Sequence, residues 1–216
     1  MTIRTALATG TAVLALAAPA LAATATVATD LNLREGPGSN YAIATTMPAE
    51  AEVELVGCLE GAQWCEVTYE GTTGYAYAPY LAITEEEELV TVDQATVTTI
   101  ETVEFDRDNG APSLLGGAAG GAIASAAIGG PAAIAGGILL GSLAGTAASP
   151  KETTISYIQE NPIEPIFIHG EPILGAGIPE GVELIEIPGS DYAYLNLNGE
   201  TVLVDPSDRK IVFIDR

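Results

Sequence analysis

Positive charge is what this 216-residue sequence has least of. It contains seven lysines and arginines against 29 aspartates and glutamates, a formal net charge of −22. The basic residues form no cluster. Phosphate backbones and anionic lipid headgroups repel a chain of this charge. We therefore expect no nucleic-acid partner, and we interpret the acidic surface as one that favours solubility.

Residues that carry catalysis or bind metals are also scarce. There is one histidine, His169, and there are two cysteines. Serines and aspartates suffice for a Ser/His/Asp triad, but no nucleophile-elbow pattern supports one. A lone histidine without such a pattern is typical of a structural residue. We therefore predict a protein that is not an enzyme and has neither a cofactor nor a metal site.

The first 22 residues have the pattern of a secretory signal peptide. Arg4 precedes an apolar stretch, residues 6–18, and Pro19 precedes the small residues 20–22. This arrangement predicts cleavage after Ala22; the alternative is an apolar helix kept in the mature fold. No cysteine follows the cleavage site, so no lipid anchor is expected. The prediction is an exported protein, periplasmic or associated with the outer membrane, with secretion as an alternative.

Composition divides the remaining chain into four segments. The predicted fold class is mainly β, with a small N-terminal barrel, a central Ala/Gly-rich helical hairpin and a small antiparallel C-terminal β domain. We do not expect the two β-rich segments to share one core. The predicted segments are a β barrel at 23–83, an acidic linker with a possible strand at 84–112, the helical hairpin at 113–149 and the C-terminal domain at 150–216.

In the first segment, short runs of alternating apolar and polar residues are separated by residues that favour turns. This pattern is typical of a small barrel. The segment contains LNLREGPGSNY at 31–41, followed by Trp64 with Val67, then by Gly74 with an aromatic residue, and it ends in Tyr-Leu at 80–81. These motifs together resemble the bacterial SH3-like domain family. The resemblance implies a non-catalytic binding module of the cell envelope, whose ligand is peptidoglycan or a peptide.

If this domain has a groove, its exposed aromatics and long first loop are expected to line it. Strand alternation places Tyr75 and Tyr77 on one face and Ala76 on the other. The alternative is that the aromatics only cover a small core. The candidate ligand residues are Asn32, Arg34, Tyr41, Trp64, Tyr75 and Tyr77.

The only two cysteines, Cys58 and Cys65, flank the short stretch LEGAQW. In an exported chain such a pair is typical of a disulfide that closes a hairpin. Metal binding needs more ligands than these two residues provide. We therefore predict a Cys58–Cys65 disulfide.

The clearest turn signal is Asn198-Gly199, because a type I′ hairpin needs positive φ at both central residues. Alternation then places Ala193, Leu195 and Leu197 on one face of the first strand, and Tyr192 and Tyr194 on the other. The predicted strands are Tyr192–Leu197, Thr201–Asp205 and Lys210–Ile214, with one more strand within Gly177–Pro188.

Several positions of this C-terminal segment carry a second resemblance. Its prolines, its Asn-Gly turn and the stretch VLVDPSDRKIV make it similar to the domain of unknown function 1236 family, found in exported proteins of alphaproteobacteria. That resemblance implies an exported architecture and no particular activity.

An uncharged Ala/Gly block occupies residues 114–145, and Pro131 divides it into two runs. As helices, the runs are each ~25 Å long, the lower limit for crossing a bilayer. Glycines four apart lie on one helix face and let a second helix approach, as in glycine-zipper segments. The alternatives are a flexible linker and a soluble hairpin packed on the β domains. The predicted packing glycines are Gly117, Gly121, Gly137, Gly141 and Gly145.

These patterns lead to two functional hypotheses. The first is a non-enzymatic envelope protein whose SH3-like module binds peptidoglycan or a peptide, with the Ala/Gly block mediating membrane association or self-association. The second is a structural envelope protein that forms homo-oligomers, in which the β domains are soluble caps without a wall ligand.

Overall fold

The computed structural model describes residues 23–61, 63–85, 87–93, 95, 100, 102–105 and 147–216. The predicted signal peptide, the Ala/Gly block and its five packing glycines lie outside these residues. Within the part of the chain that is described, no helix is long and apolar enough to cross a membrane. The described residues are mainly β, as predicted.

Alternating buried and exposed residues build an eight-stranded antiparallel sheet from the N-terminal domain, residues 23–105. In its fourth strand, Val53 and Leu55 are buried while Glu52 and Glu54 face solvent. A 3₁₀ turn follows the sixth strand at Ala78–Tyr80. The strands are β1 Ala23–Val27, β2 Leu31–Arg34, β3 Ile43–Met47, β4 Glu52–Cys58, β5 Trp64–Tyr69, β6 Thr72–Tyr77, β7 Leu81–Glu85 and β8 Glu88–Thr91, in the sheet order β3-β2-β6-β5-β4-β1-β7-β8.

The predicted acidic linker begins as part of this sheet. β7 and β8 form a hairpin in which Glu85 pairs with Glu88, and Glu87 in the turn has a φ of 73°. The possible strand in the linker is therefore present as β8. Glu85, Glu87 and Glu88 therefore lie where β7 turns into β8.

The C-terminal domain, residues 147–216, contains a helix and a four-stranded antiparallel sheet. Asn198 and Gly199 have φ values of 54° and 91°, and Leu197 pairs with Glu200, which confirms the predicted hairpin turn. The three-stranded meander is also confirmed. The elements are α1 Glu152–Glu160, β9 Ile185–Glu186, β10 Ala193–Leu197, β11 Glu200–Asp205 and β12 Lys210–Asp215, in the sheet order β12-β11-β10-β9.

Two predictions for this domain are corrected. The strand expected within residues 177–188 is reduced to the two residues of β9, because a turn in which Val182 N–H donates to the carbonyl of Pro179 interrupts it. Helix α1 was not predicted at all. It buries Thr154 and Ile158, one turn apart.

Both faces of the C-terminal sheet are covered. Tyr194 and Leu203 pack against Ile158 of α1. Leu195 and Val202, on the opposite face, belong to the main hydrophobic core. The alternation predicted for β10 is confirmed, and each face of the sheet packs against a different part of the molecule.

That main core includes residues from both domains, which corrects the expectation of two separate cores. Leu31 and Leu33 of β2 belong to the same buried cluster as Ile173, Leu197 and residues of β11. All four named side chains have no exposed surface. The two domains therefore exclude water together, and the interface between them continues the core of each.

Candidate functional site

Two predicted ligand residues, Asn32 and Arg34, lie at the interface between the domains and have no exposed surface. The Arg34 guanidinium pairs with the fully buried carboxylate of Glu171 from the C-terminal domain. Arg34 Nε donates to one carboxylate oxygen, and Nη2 donates to the other at 2.9 Å. This fork arrangement is the strongest geometry for an arginine–carboxylate pair.

The side chain of Asn32 extends this polar cluster. Its Nδ2 donates to Glu171 Oε2 at 3.0 Å and to Glu200 Oε2 at 2.7 Å. Glu200 Oε1 in turn accepts a hydrogen bond from Arg216 Nε at 2.9 Å. Two arginines therefore balance the charges of two buried carboxylates, and the Asn32 amide donates a hydrogen bond to each carboxylate.

Burial dominates the protonation equilibrium of Glu171. Desolvation raises the pKa of its carboxyl above the ordinary value, and the nearby Glu200 raises it further. The charge of Arg34 and the hydrogen bonds from Arg34 and Asn32 act in the opposite direction. Glu171 therefore depends on its partners to stay ionised in the dry interface.

The other four candidates contribute to an aromatic face on the N-terminal domain. Trp64 pairs with Tyr77 and Glu66 with Tyr75 across β5 and β6, so these side chains share one side of the sheet. The rings of Trp64 and Tyr77 meet edge to face with centroids 5.4 Å apart. All of these side chains are partly exposed.

An aromatic side chain of the chain itself lies on this face. The Phe105 ring meets Tyr41 at 5.6 Å and Tyr75 at 5.4 Å, edge-on in both cases. Just before it, Val103 N–H donates to the carbonyl of Cys58 at 3.0 Å, and Thr102 forms a parallel bridge with Cys58. The short extended segment 102–105 is thus held against the N-terminal sheet by a main-chain hydrogen bond and by aromatic contacts.

The disulfide predicted between Cys58 and Cys65 is present. The two residues are paired directly across β4 and β5. Because Trp64 immediately precedes Cys65 and Val103 binds Cys58, the disulfide supports the edge of the aromatic face.

Sequence reasoning missed Glu171, Glu200 and Phe105. Nothing in the pattern of HGEP distinguishes the buried Glu171 from its neighbour His169, which is exposed. The described residues include no group of histidine, cysteine and acidic side chains able to hold a metal. Two surface depressions of about 490 and 310 Å³ lie on the C-terminal domain, and neither is lined by a candidate residue.

Comparison with protein families finds matches in two segments of the chain. Residues 29–82 match the family described as the bacterial SH3 domain. Residues 157–215 match the family described as domain of unknown function DUF1236. No curated protein matches the sequence. The bacterial SH3 domain suggests a module that binds a peptide or peptidoglycan, and together with the disulfide it fits an extracellular or envelope protein.

Proposed function

We propose that this protein is an exported, non-enzymatic component of the cell envelope that binds a peptide or peptidoglycan through its aromatic face, defined as Tyr41, Trp64, Tyr75 and Tyr77. The observation that carries the proposal is the docking of Phe105. An extended segment already binds there by one main-chain hydrogen bond and by edge-on ring contacts. Main-chain bonding with a side-chain anchor is a recurring mode of peptide recognition.

The contacts between the two domains reduce the set of residues that we propose to bind an external ligand. Asn32 and Arg34 are fully buried against the C-terminal domain, so they are not available to an external ligand while the domains are docked. The aromatic residues remain, and Tyr and Trp supply most of the binding energy in many recognition surfaces because they bury large areas with few rotatable bonds.

Sedimentation of the mature protein with purified sacculi tests this function. We expect the double variant Trp64→Ala, Tyr77→Ala to lose about tenfold or more in affinity, as two anchor residues of an interface do. Tyr192→Ala is the matched control, because it removes a half-buried tyrosine from the C-terminal domain. If the double variant sediments as the wild type does, the aromatic face is not the wall-binding surface.

The role of the Ala/Gly block is proposed from its sequence, since residues 106–146 lie outside the described chain. We propose that it associates with a membrane or with a second copy of itself. An alkaline carbonate wash of cell membranes tests the first role, with a deletion of residues 114–148 as the control. Release of both proteins would exclude membrane association, and light scattering of a variant with leucine at Gly137, Gly141 and Gly145 then tests self-association.

A further inference from the structure

We infer that Asn32 and Arg34 form a carboxylate-binding site on the N-terminal domain, and that the C-terminal domain is its built-in ligand, filling the site with Glu171. The inference assigns a role to the C-terminal domain. It is independent of what the aromatic face binds.

On the receptor side of this site, Arg34 and Asn32 each make a hydrogen bond within the N-terminal domain, beside their bonds to the C-terminal domain. Arg34 Nη1 donates to the carbonyl of Tyr41 at 2.7 Å, and the Asn32 side-chain oxygen accepts from Thr46 Oγ1 at 3.1 Å. These bonds fix the guanidinium and the amide without any contribution from Glu171. The site is therefore preorganised for a carboxylate, which reduces the entropy lost on binding.

The ligand side is built by the hairpin turn of the C-terminal domain. Asn198 Oδ1 accepts from Ile168 N–H at 2.9 Å, and its Nδ2 donates to the Gly170 carbonyl at 2.8 Å. The segment that presents Glu171 is thereby fixed to the turn. The carbonyl of Asn198 also accepts from Arg34 Nη2 at 3.1 Å, so the turn touches the site directly.

The chemistry of the site identifies its ligand class. A guanidinium that presents Nε and Nη2 to two oxygens, beside an amide donor, matches a carboxylate in shape and charge. Because the docked C-terminal domain excludes water from this cluster, a carboxylate from another molecule reaches it only if Glu171 leaves.

Chemical rescue tests the inference in the full mature chain. Glu171→Ala leaves the buried Arg34 without its partner, and we expect a lower thermal unfolding midpoint that sodium acetate restores better than sodium chloride of equal ionic strength at the same pH. The matched control is Arg34→Met with Glu171→Ala, which has the vacated space but no cation. An equal response to acetate in the two variants overturns the inference.

A cleavage experiment covers the case in which Glu171→Ala does not fold. A protease site placed within residues 106–146 of the otherwise wild-type chain yields two fragments after digestion. We expect them to co-elute in size-exclusion chromatography, because the docked domains hold each other without the connecting chain. Their immediate separation overturns the inference.

Discussion

The interface between the domains, which uses polar residues of β2, and the aromatic face, which uses β5 and β6, differ in the kind of side chain that they bury. At the interface, charged and amide side chains are fully buried and every group of the Asn32–Arg34–Glu171 cluster has a partner. On the aromatic face, apolar rings remain partly exposed. In this protein polarity is therefore a poor guide to exposure, because a second domain covers the polar residues and leaves the rings accessible.

The largest expected effect comes from breaking the buried ion pair. Arg34→Met leaves Glu171 charged or forces it to bind a proton in a dry site, and such losses typically cost about 3–5 kcal/mol of unfolding free energy. Urea denaturation measures the change. The control is Lys210→Met, whose partner Asp208 lies at 3.3 Å and is about half exposed, so its loss costs ~1 kcal/mol or less. Equal losses of unfolding free energy in the two variants would show that the Arg34–Glu171 pair contributes no more to stability than a surface ion pair.

Removal of the disulfide tests how much it stabilises the domain at the edge of the aromatic face. Cys58→Ala with Cys65→Ala is expected to lose about 2–3 kcal/mol, the loop-closure entropy of a short ring. Urea denaturation under oxidising and reducing conditions measures it, since reduction should destabilise the wild type and leave the variant unchanged. A wild type that does not respond to reduction would contradict a stabilising role.

A substitution at Gly74 tests how closely β2 and β6 approach each other. A Cβ at this position would lie 2.6 Å from the Arg34 carbonyl oxygen and 2.9 Å from Leu33 Cγ. Gly74→Ala should therefore cost about 1–3 kcal/mol through overpacking. Gly177→Ala is the control, because nothing lies within 4 Å of its Cβ position. If both variants have wild-type stability in urea, the two strands have room to separate.

The smallest effect is expected at Phe105. Ring contacts of this kind contribute about 1 kcal/mol, so Phe105→Ala should free the aromatic face and raise the apparent affinity for sacculi roughly fivefold. A binding isotherm with purified sacculi measures the change, with Leu89→Ala, an exposed apolar residue of β8, as the control. Weaker binding by Phe105→Ala would mean that Phe105 supports the ligand and does not compete with it.

Local patterns predicted the parts of the structure that local physics determines. The Asn198-Gly199 turn requires positive φ, and the alternation of Tyr75, Ala76 and Tyr77 follows from the pleat of a strand. The disulfide followed from the export prediction and the short spacing. Gly74 belongs to the motif that resembles the bacterial SH3-like family, and it lies where β2 approaches β6 closely.

The rest depends on contacts between residues far apart in the sequence. The sequence motif around Arg34 predicts a ligand residue in a surface loop. In the fold, Glu171 of the C-terminal domain pairs with Arg34 and buries it. Phe105 follows an acidic and β-branched stretch, and only the fold places it on Tyr41 and Tyr75. The periodicity of a single segment carries no information about which partner covers it.

The sequence distances spanned by the polar cluster have a kinetic consequence. Asn32 and Glu200 are 168 residues apart in the chain, and Arg34 and Glu171 are 137 apart. Contacts of such separation form slowly, because the loop entropy is lost before any bond is gained. We therefore expect the docking of the C-terminal domain, which brings Glu171 to Arg34, to be a late and slow step of folding.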